Sequence, residues 1–101
     1  MIHHVVMWRL KLEAMADGQP LDLAEMRRLA ERMRMGVPGL LRLELGGNQL
    51  PGADAADLVL YTEFDSWQAL EDYEVHPLHQ RFRALVGPLR TERRSADFES
   101  Q

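Results

Sequence analysis

Residues 2 to 12 alternate between apolar and more polar side chains with a period of two, which predicts a long β-strand. One face of this strand would carry Ile2, His4, Val6, Trp8, Leu10 and Leu12. The opposite face would carry His3, Val5, Met7, Arg9 and Lys11. The alternation therefore predicts that His4, and not His3, lies on the more apolar side.

The segment ADGQP breaks this pattern, and a helical pattern follows it. Asp22 and Glu25 have the spacing of a capping box, in which Asp22 would accept backbone N–H bonds at the start of a helix. This helix should run for about 13 residues and present one apolar stripe, formed by Leu23, Met26, Ala30 and Met33. Gly36 suits a left-handed cap at its end, and Pro38 opposes its continuation.

The middle of the chain contains two more extended patterns. In LLRLELG, residues 40–46, one face would carry Leu41, Leu43 and Leu45. In DLVLYTEF, residues 57–64, one face would carry Leu58, Leu60, Thr62 and Phe64. The other face of that strand would carry Val59, Tyr61 and Glu63. The loop between the two strands is rich in turn residues, so both strands are predicted to be separate elements.

The last third of the chain predicts two helices and a strand. Asp65 or Ser66 is expected to cap a helix from about Trp67 to Val75. Pro77 cannot continue that helix without losing a hydrogen bond, but it suits the first turn of a new one. The apolar stripe of the new helix would consist of Leu78, Phe82, Leu85 and Leu89. The closing RSADFE predicts a short last strand.

The resulting order, β-α-β-β-α(α)-β, matches a ferredoxin-like α+β fold, an antiparallel sheet with helices on one face. The first and third strands carry apolar residues on both faces, although the helices can cover only one. A monomer would expose Val5, Met7, Val59 and Tyr61 to water, and such patches usually mark interfaces. We therefore expect a homodimer that packs sheet against sheet.

Composition narrows the function without identifying it. The 101 residues fit one domain, residues 1–101. The absence of cysteine excludes thiolate nucleophiles and cysteine-based metal sites. Together with the lack of a signal-peptide pattern, it favours a cytoplasmic protein. A net charge of −4 argues against nucleic-acid binding, and no stretch approaches the length of a membrane span.

The stretch EDYEVHPLHQRF, residues 71–82, contains the most suggestive polar residues. Pro77 separates a histidine at a helix cap, His76, from one inside the helix, His79, so His-x-x-His is a weak metal signal here. Tyr73 and His79 lie across the Pro77 bend, which could bring both to one cavity together with His4. The pattern alone is also satisfied if all three are hydrogen-bonded core residues, and both interpretations stay open.

Four segments together resemble the stress-responsive A/B barrel (Dabb) family: IHHVVMWRLK, VPGLLRLELGGN, DLVLYTEFDSWQALEDYEVHPLHQRF and ADFE. The resemblance covers nearly the whole chain in the right order. It implies a dimeric α+β barrel of two ferredoxin-like protomers joined through their sheets.

The resemblance also implies candidate chemistry. One plant member of the family is a cofactor-free polyketide cyclase that acts by intramolecular aldol condensation. By similarity to it, His79 would abstract a proton next to a carbonyl, Tyr73 would orient or polarise the substrate, and His4 would support the site. A further pocket histidine of that cyclase corresponds to Leu58, so the substrate is not carried over. The implied site binds no metal and no cofactor.

Three hypotheses follow. The first is an enzyme that acts on a small hydrophobic carbonyl compound in a pocket formed by Trp8, Leu58, Leu60 and Phe82. The second is a non-catalytic dimeric module that binds a small apolar ligand. The third is a heme-degrading or quinol-oxidising monooxygenase of the same architecture.

Overall fold

A computed structural model describes residues 1–101 as one four-stranded antiparallel sheet, a small hairpin and three α-helices. Two 3₁₀ turns, Leu12–Ala14 and Gly87–Leu89, complete the regular structure. In chain order the strands and helices are β1 (Ile2–Leu10), β2 (Met15–Ala16), β3 (Gln19–Pro20), α1 (Leu23–Gly36), β4 (Leu40–Gly47), β5 (Leu58–Phe64), α2 (Trp67–Glu74), α3 (Pro77–Val86) and β6 (Arg90–Glu99).

The main sheet has the strand order β4-β5-β1-β6, and every neighbouring pair is antiparallel. The predicted ferredoxin-like α+β fold is therefore confirmed. The strand β1 lies between β5 and β6, so its alternating side chains decide what each face of the sheet presents. No helix is long and apolar enough to cross a membrane.

The core lies between the helices and one face of the sheet. The predicted inward residues of β5 are all buried: Leu58, Leu60, Thr62 and Phe64. On β1 the same holds for Ile2, His4, Val6, Trp8 and Leu10. Leu12 is 89% exposed, contrary to the prediction, because the strand ends at Leu10 and the chain enters a 3₁₀ turn.

The segment expected only to break the chain forms the hairpin β2–β3. Asp17 and Gly18 have φ values of 52° and 76°, the left-handed backbone that two-residue hairpin turns require. Asp-Gly is a favoured pair for this turn, so the signal was present in the sequence.

Both predicted caps of α1 are wrong. Asp22 occupies the N-cap position but its side chain accepts no capping bond. Glu25 instead accepts two hydrogen bonds from Arg28, at 2.9 and 2.7 Å. Gly36 is the last helical residue, and the left-handed glycine is Gly39, with φ of 79°.

The strand β4 also departs from its predicted alternation. A register shift between Leu40 and Arg42, where β4 pairs with β5, turns Leu41 outward. Leu41 is consequently 54% exposed, while Leu43 is buried and Leu40 packs partly against the core.

Both predicted caps in the second half are confirmed. The Ser66 hydroxyl accepts a bond from the Ala69 N–H at 3.1 Å, and α2 ends at Glu74. His76 Nδ1 accepts one from the Leu78 N–H at 3.1 Å at the start of α3. The last strand, expected to be short, runs for ten residues because it pairs along the whole length of β1.

Candidate functional site

A cleft of about 330 Å³ lies beside α3, on the side of the sheet that carries the helices. Its lining is apolar where it meets the core, with Val6, Trp8, Leu60 and Phe82. The Trp8 and Phe82 rings lie 6.0 Å apart. Cavities of this size and lining are typical of sites for small molecules.

The composition of β6 explains why a cleft forms here. In the antiparallel register, Arg93 lies opposite Trp8, Ser95 opposite Val6, and Asp97 opposite His4. Directly opposed residues share a face of the sheet, so this edge strand presents polar side chains where the neighbouring strands present apolar ones. Every residue of β6 is exposed, and the space beside α3 stays open.

Tyr73 and His79 lie together in the wall of the cleft. Tyr73 is in the last turn of α2 and His79 is in the first turn of α3, so the bend between Glu74 and Pro77 brings their ring centroids to 4.2 Å. The sequence predicted this juxtaposition as a possibility of the bend, and the packing of α2 against α3 produces it.

A backbone contact defines the tautomer of His79. Its Nδ1 lies 3.1 Å from the carbonyl oxygen of Glu74. A carbonyl oxygen can only accept, so Nδ1 must carry the hydrogen, and in the neutral ring Nε2 holds the free electron pair. Burial lowers the pKa of His79 below its usual 6.5; the Glu74 carbonyl opposes this effect, and the nearby Arg83, His4 and Arg93 add to it. At neutral pH the side chain is therefore an uncharged base.

Tyr73 is buried, and its hydroxyl has no hydrogen-bond partner. Burial raises the pKa of this phenol well above its usual 10, and Glu74 raises it further. The hydroxyl therefore stays protonated and is able to donate a hydrogen bond. The ring itself is fixed between aromatic neighbours, with Phe64 at 5.0 Å and His4 at 6.2 Å.

His4 lies behind Tyr73 and does not line the cleft. It is 3% exposed, its ring meets that of Tyr73 edge to face, and its Nδ1 bonds the Asp97 carboxylate. The Thr62 hydroxyl donates to the His4 carbonyl at 3.0 Å. His4 is thus placed to hold Tyr73, and Asp97 to orient His4.

The predicted pocket residues differ in whether they line the cleft. Trp8, Leu60 and Phe82 line the cleft, whereas Leu58 does not, because it is fully buried in the hydrophobic core. His3 lies on the opposite face of the sheet, where its Nδ1 is 2.7 Å from the Tyr61 hydroxyl.

Sequence reasoning missed the polar part of the lining, which includes Gln80, Arg83, Arg90 and Arg93. Two of these arginines, Arg90 and Arg93, lie in β6 but precede the short last strand that RSADFE predicts. Only strand pairing with β1 places them beside the cleft. Asp97 was missed for the same reason, although it lies in the ADFE segment.

The chain is thus a ferredoxin-like α+β protein with a cleft of about 330 Å³ between α3 and the sheet. A dimeric ferredoxin-like protein of unknown function from Bacteroides fragilis superposes with a TM-score of 0.85 at 20% identity, over 98% of this chain and 95% of that one. A Dabb-family protein from Mesorhizobium loti superposes with a TM-score of 0.75 at 22% identity, over 99% and 96%. A protein described as an antibiotic biosynthesis monooxygenase gives 0.76 at 20% identity, over 100% and 99%.

The family model of the stress responsive A/B barrel domain matches residues 2–100, and the chain belongs to this family. No curated protein matches the chain significantly. The identities to the three solved structures are low, so these likenesses extend to the fold and not to the reaction.

Proposed function

We propose that this protein is a cofactor-independent enzyme that abstracts a proton next to a carbonyl group of a small hydrophobic substrate. The observation that carries the proposal is the pair of residues in the cleft wall. The ring centroids of the neutral His79 and of Tyr73 lie 4.2 Å apart, and the Tyr73 hydroxyl has no hydrogen-bond partner. The chemistry would be that of a polyketide cyclase, with His79 and Tyr73 in the roles that the family resemblance of the sequence implies.

The proposed step uses groups that the chain itself supplies. A C–H bond next to the carbonyl breaks, its proton passes to His79 Nε2, and the electron pair forms an enolate whose oxygen accepts a hydrogen bond from Tyr73. The enolate carbon then attacks a second carbonyl of the same molecule and a C–C bond forms. The new alkoxide takes back the proton from the imidazolium, so the step is balanced. His4 and Asp97 hold the Tyr73 ring in place.

Proton exchange tests the base directly, without knowledge of the natural substrate. In D₂O, ¹H NMR would follow loss of the protons next to the carbonyl of 2-octanone, nonane-2,4-dione and 7-oxooctanoate. We expect wild-type protein to accelerate exchange with at least one probe, and His79→Gln to lose about 10²- to 10⁴-fold of that acceleration, the usual range for a general base. His76→Asn is the matched control, because it removes an imidazole three residues away and retains a side chain suited to an N-cap. Equal losses in both variants would contradict the assignment of His79.

A second candidate is a binding module without catalysis. The observation that favours it is the enclosure of the Tyr73 hydroxyl, which is almost fully hidden before any ligand enters. Ligand binding in the cleft with no exchange of any of the three probes would support this candidate over the enzyme.

We also propose that the protein is a homodimer joined through the sheet face that the helices leave uncovered. Met7 and Phe98 on that face are 42% and 53% exposed, and Val5 and Val59 on the same face are half-buried. Several proteins of similar fold are described as dimeric, which supports the proposal. Gel filtration with light scattering at micromolar concentration should give twice the monomer mass for wild type and a lower mass for Met7→Asp. A wild-type protein that is monomeric at this concentration would refute the proposed homodimer.

A further inference from the structure

Three arginines line the cleft and have no carboxylate partner. Arg83 comes from α3, whereas Arg90 and Arg93 come from β6. No Asp or Glu is among the lining residues. Elsewhere three arginines do pair with glutamates: Arg28 and Arg34 on α1, and Arg42 on β4. A concentration of unpaired positive charge at one cleft is notable in a protein with a net charge of −4.

Two acidic residues that bond residues of the site, Asp97 and Glu74, form no ion pair with these arginines. Asp97 is engaged by His4, and Glu74 contributes its carbonyl oxygen, not its carboxylate, to His79 and Gln80. Arg93 makes only a long contact with the Ser95 hydroxyl, at 3.5 Å. The guanidinium groups therefore keep donors that match the oxygens of a carboxylate or phosphate.

The remainder of the lining is apolar, so the cleft has two chemically different parts. Trp8 and Phe82 with Val6 and Leu60 offer a surface for a hydrocarbon or aromatic body, and Tyr73 adds a hydroxyl without a partner. We infer that the cleft takes a small apolar molecule with an anionic oxygen head group, a carboxylate or phosphate ester, bound by Arg83, Arg90 and Arg93. This inference rests on the proposed function, because it assumes that the cleft is the substrate site, and it narrows the substrate to an acidic carbonyl compound.

Ligands that differ only in their head group test this inference. Octanoate, octyl phosphate and octanamide share an eight-carbon body, and only the amide is neutral. Trp67→Phe leaves Trp8 as the sole tryptophan, so fluorescence titration in that background reports on the cleft itself. We expect either anion to bind at least about fivefold more tightly than the amide at low salt, and this preference to shrink at 0.5 M NaCl as the charges are screened. The tighter of the two anions identifies the head group.

Arginine variants locate the binding site. Arg83→Ala and Arg93→Ala should each weaken binding of the preferred anion about fivefold, with little effect on the amide. Arg81→Ala is the control, because it removes one exposed positive charge from the same helix without lining the cleft. Three results would each overturn the inference. Arg81→Ala could lose as much anion affinity as the cleft variants, the anions could bind no more tightly than the amide, or no ligand could bind at millimolar concentration.

Different results would refute the proposed function and the inferred anionic head group. His79→Gln should still bind the anion with the same head-group preference, whatever happens to proton exchange. Exchange without anion preference would refute the inference alone, and anion preference without exchange would refute only the catalytic role of His79.

Discussion

Removing the Tyr73 hydroxyl should make the protein more stable and less active. The hydroxyl is buried and has no hydrogen-bond partner. An unsatisfied buried polar group costs about 1–3 kcal/mol. Tyr73→Phe relieves this cost and leaves a void of about one oxygen atom, which costs only a few tenths of a kcal/mol, at about 24 cal/mol per Å³. We therefore expect the free energy of unfolding to rise by about 1 kcal/mol or more.

Tyr61→Phe is the matched control, since these are the only two tyrosines in the chain. The Tyr61 hydroxyl lies 2.7 Å from His3 Nδ1 and donates to Glu63 at 2.6 Å. Its removal deletes two hydrogen bonds, so the free energy of unfolding should fall. The two Tyr→Phe changes are thus expected to have opposite signs.

Urea unfolding followed by circular dichroism measures both changes. With a slope of about 1–2 kcal/mol per M, a gain of about 1 kcal/mol moves the Tyr73→Phe midpoint upward by about 0.5–1 M. All variants must be compared at one protein concentration, because association contributes to apparent stability. If Tyr73→Phe were destabilised by 1 kcal/mol or more, the hydroxyl would have a bonding partner in the folded protein, and its availability to a substrate would be refuted. Proton exchange on the same samples should fall in Tyr73→Phe, as expected where a site retains a costly group for function.

Three further predictions concern the base, its neighbour Arg83 and the backbone. The rate of exchange should fall with decreasing pH through an apparent pKa below the usual 6.5 of histidine, because the imidazolium form of His79 has no electron pair to accept a proton. In Arg83→Ala, loss of a nearby positive charge should raise the pKa of His79, so the fall in exchange rate should begin at higher pH than in wild type. An unchanged pH dependence of the exchange rate would exclude Arg83 as a neighbour of the base. Gly39 and Gly18 have similar positive φ values, 79° and 76°, but a Cβ on Gly39 would lie 2.6 Å from the Ala69 Cβ, whereas one on Gly18 meets nothing within 4 Å. By urea unfolding, Gly18→Ala should cost about 1 kcal/mol from the backbone alone and Gly39→Ala about 1–3 kcal/mol more; equal costs would contradict the steric argument.

Local signals in the sequence were sufficient where an element's own pattern decides its structure. The alternation of β5 predicted its four buried residues correctly, because a strand between two neighbours keeps its period of two. Ser66, as one of two candidates with Asp65, and His76 were predicted to be caps, since a side-chain acceptor beside the first helical N–H groups needs only local geometry. Asp22 had the same local signal and failed, because its backbone (φ −95°, ψ 20°) is not the extended one in which an N-cap side chain reaches the first helical N–H groups.

Pairing between distant segments decided what the local pattern could not. Leu41 should face inward by alternation, but the shifted register between β4 and β5 turns it out. The arginines of β6 have the pattern of an exposed strand, and the sequence offered no reason to place them at a site. Pairing along β1 sets Arg93 opposite Trp8, so the cleft acquires part of its charge from a residue 85 positions away from Trp8.

The sequence by itself determined the order of the main-sheet strands and the helices, the inward face of β1 with His4, and the Pro77 bend between Tyr73 and His79, because each depends on side-chain periodicity or on a single residue's backbone restriction. Tertiary structure alone decided that Tyr73 and His79 meet at 4.2 Å, that Tyr73 has an unpaired hydroxyl, and that Arg83 and Arg93 share one cleft. Distances between side chains on different elements depend on how those elements pack, and packing is a property of the whole chain.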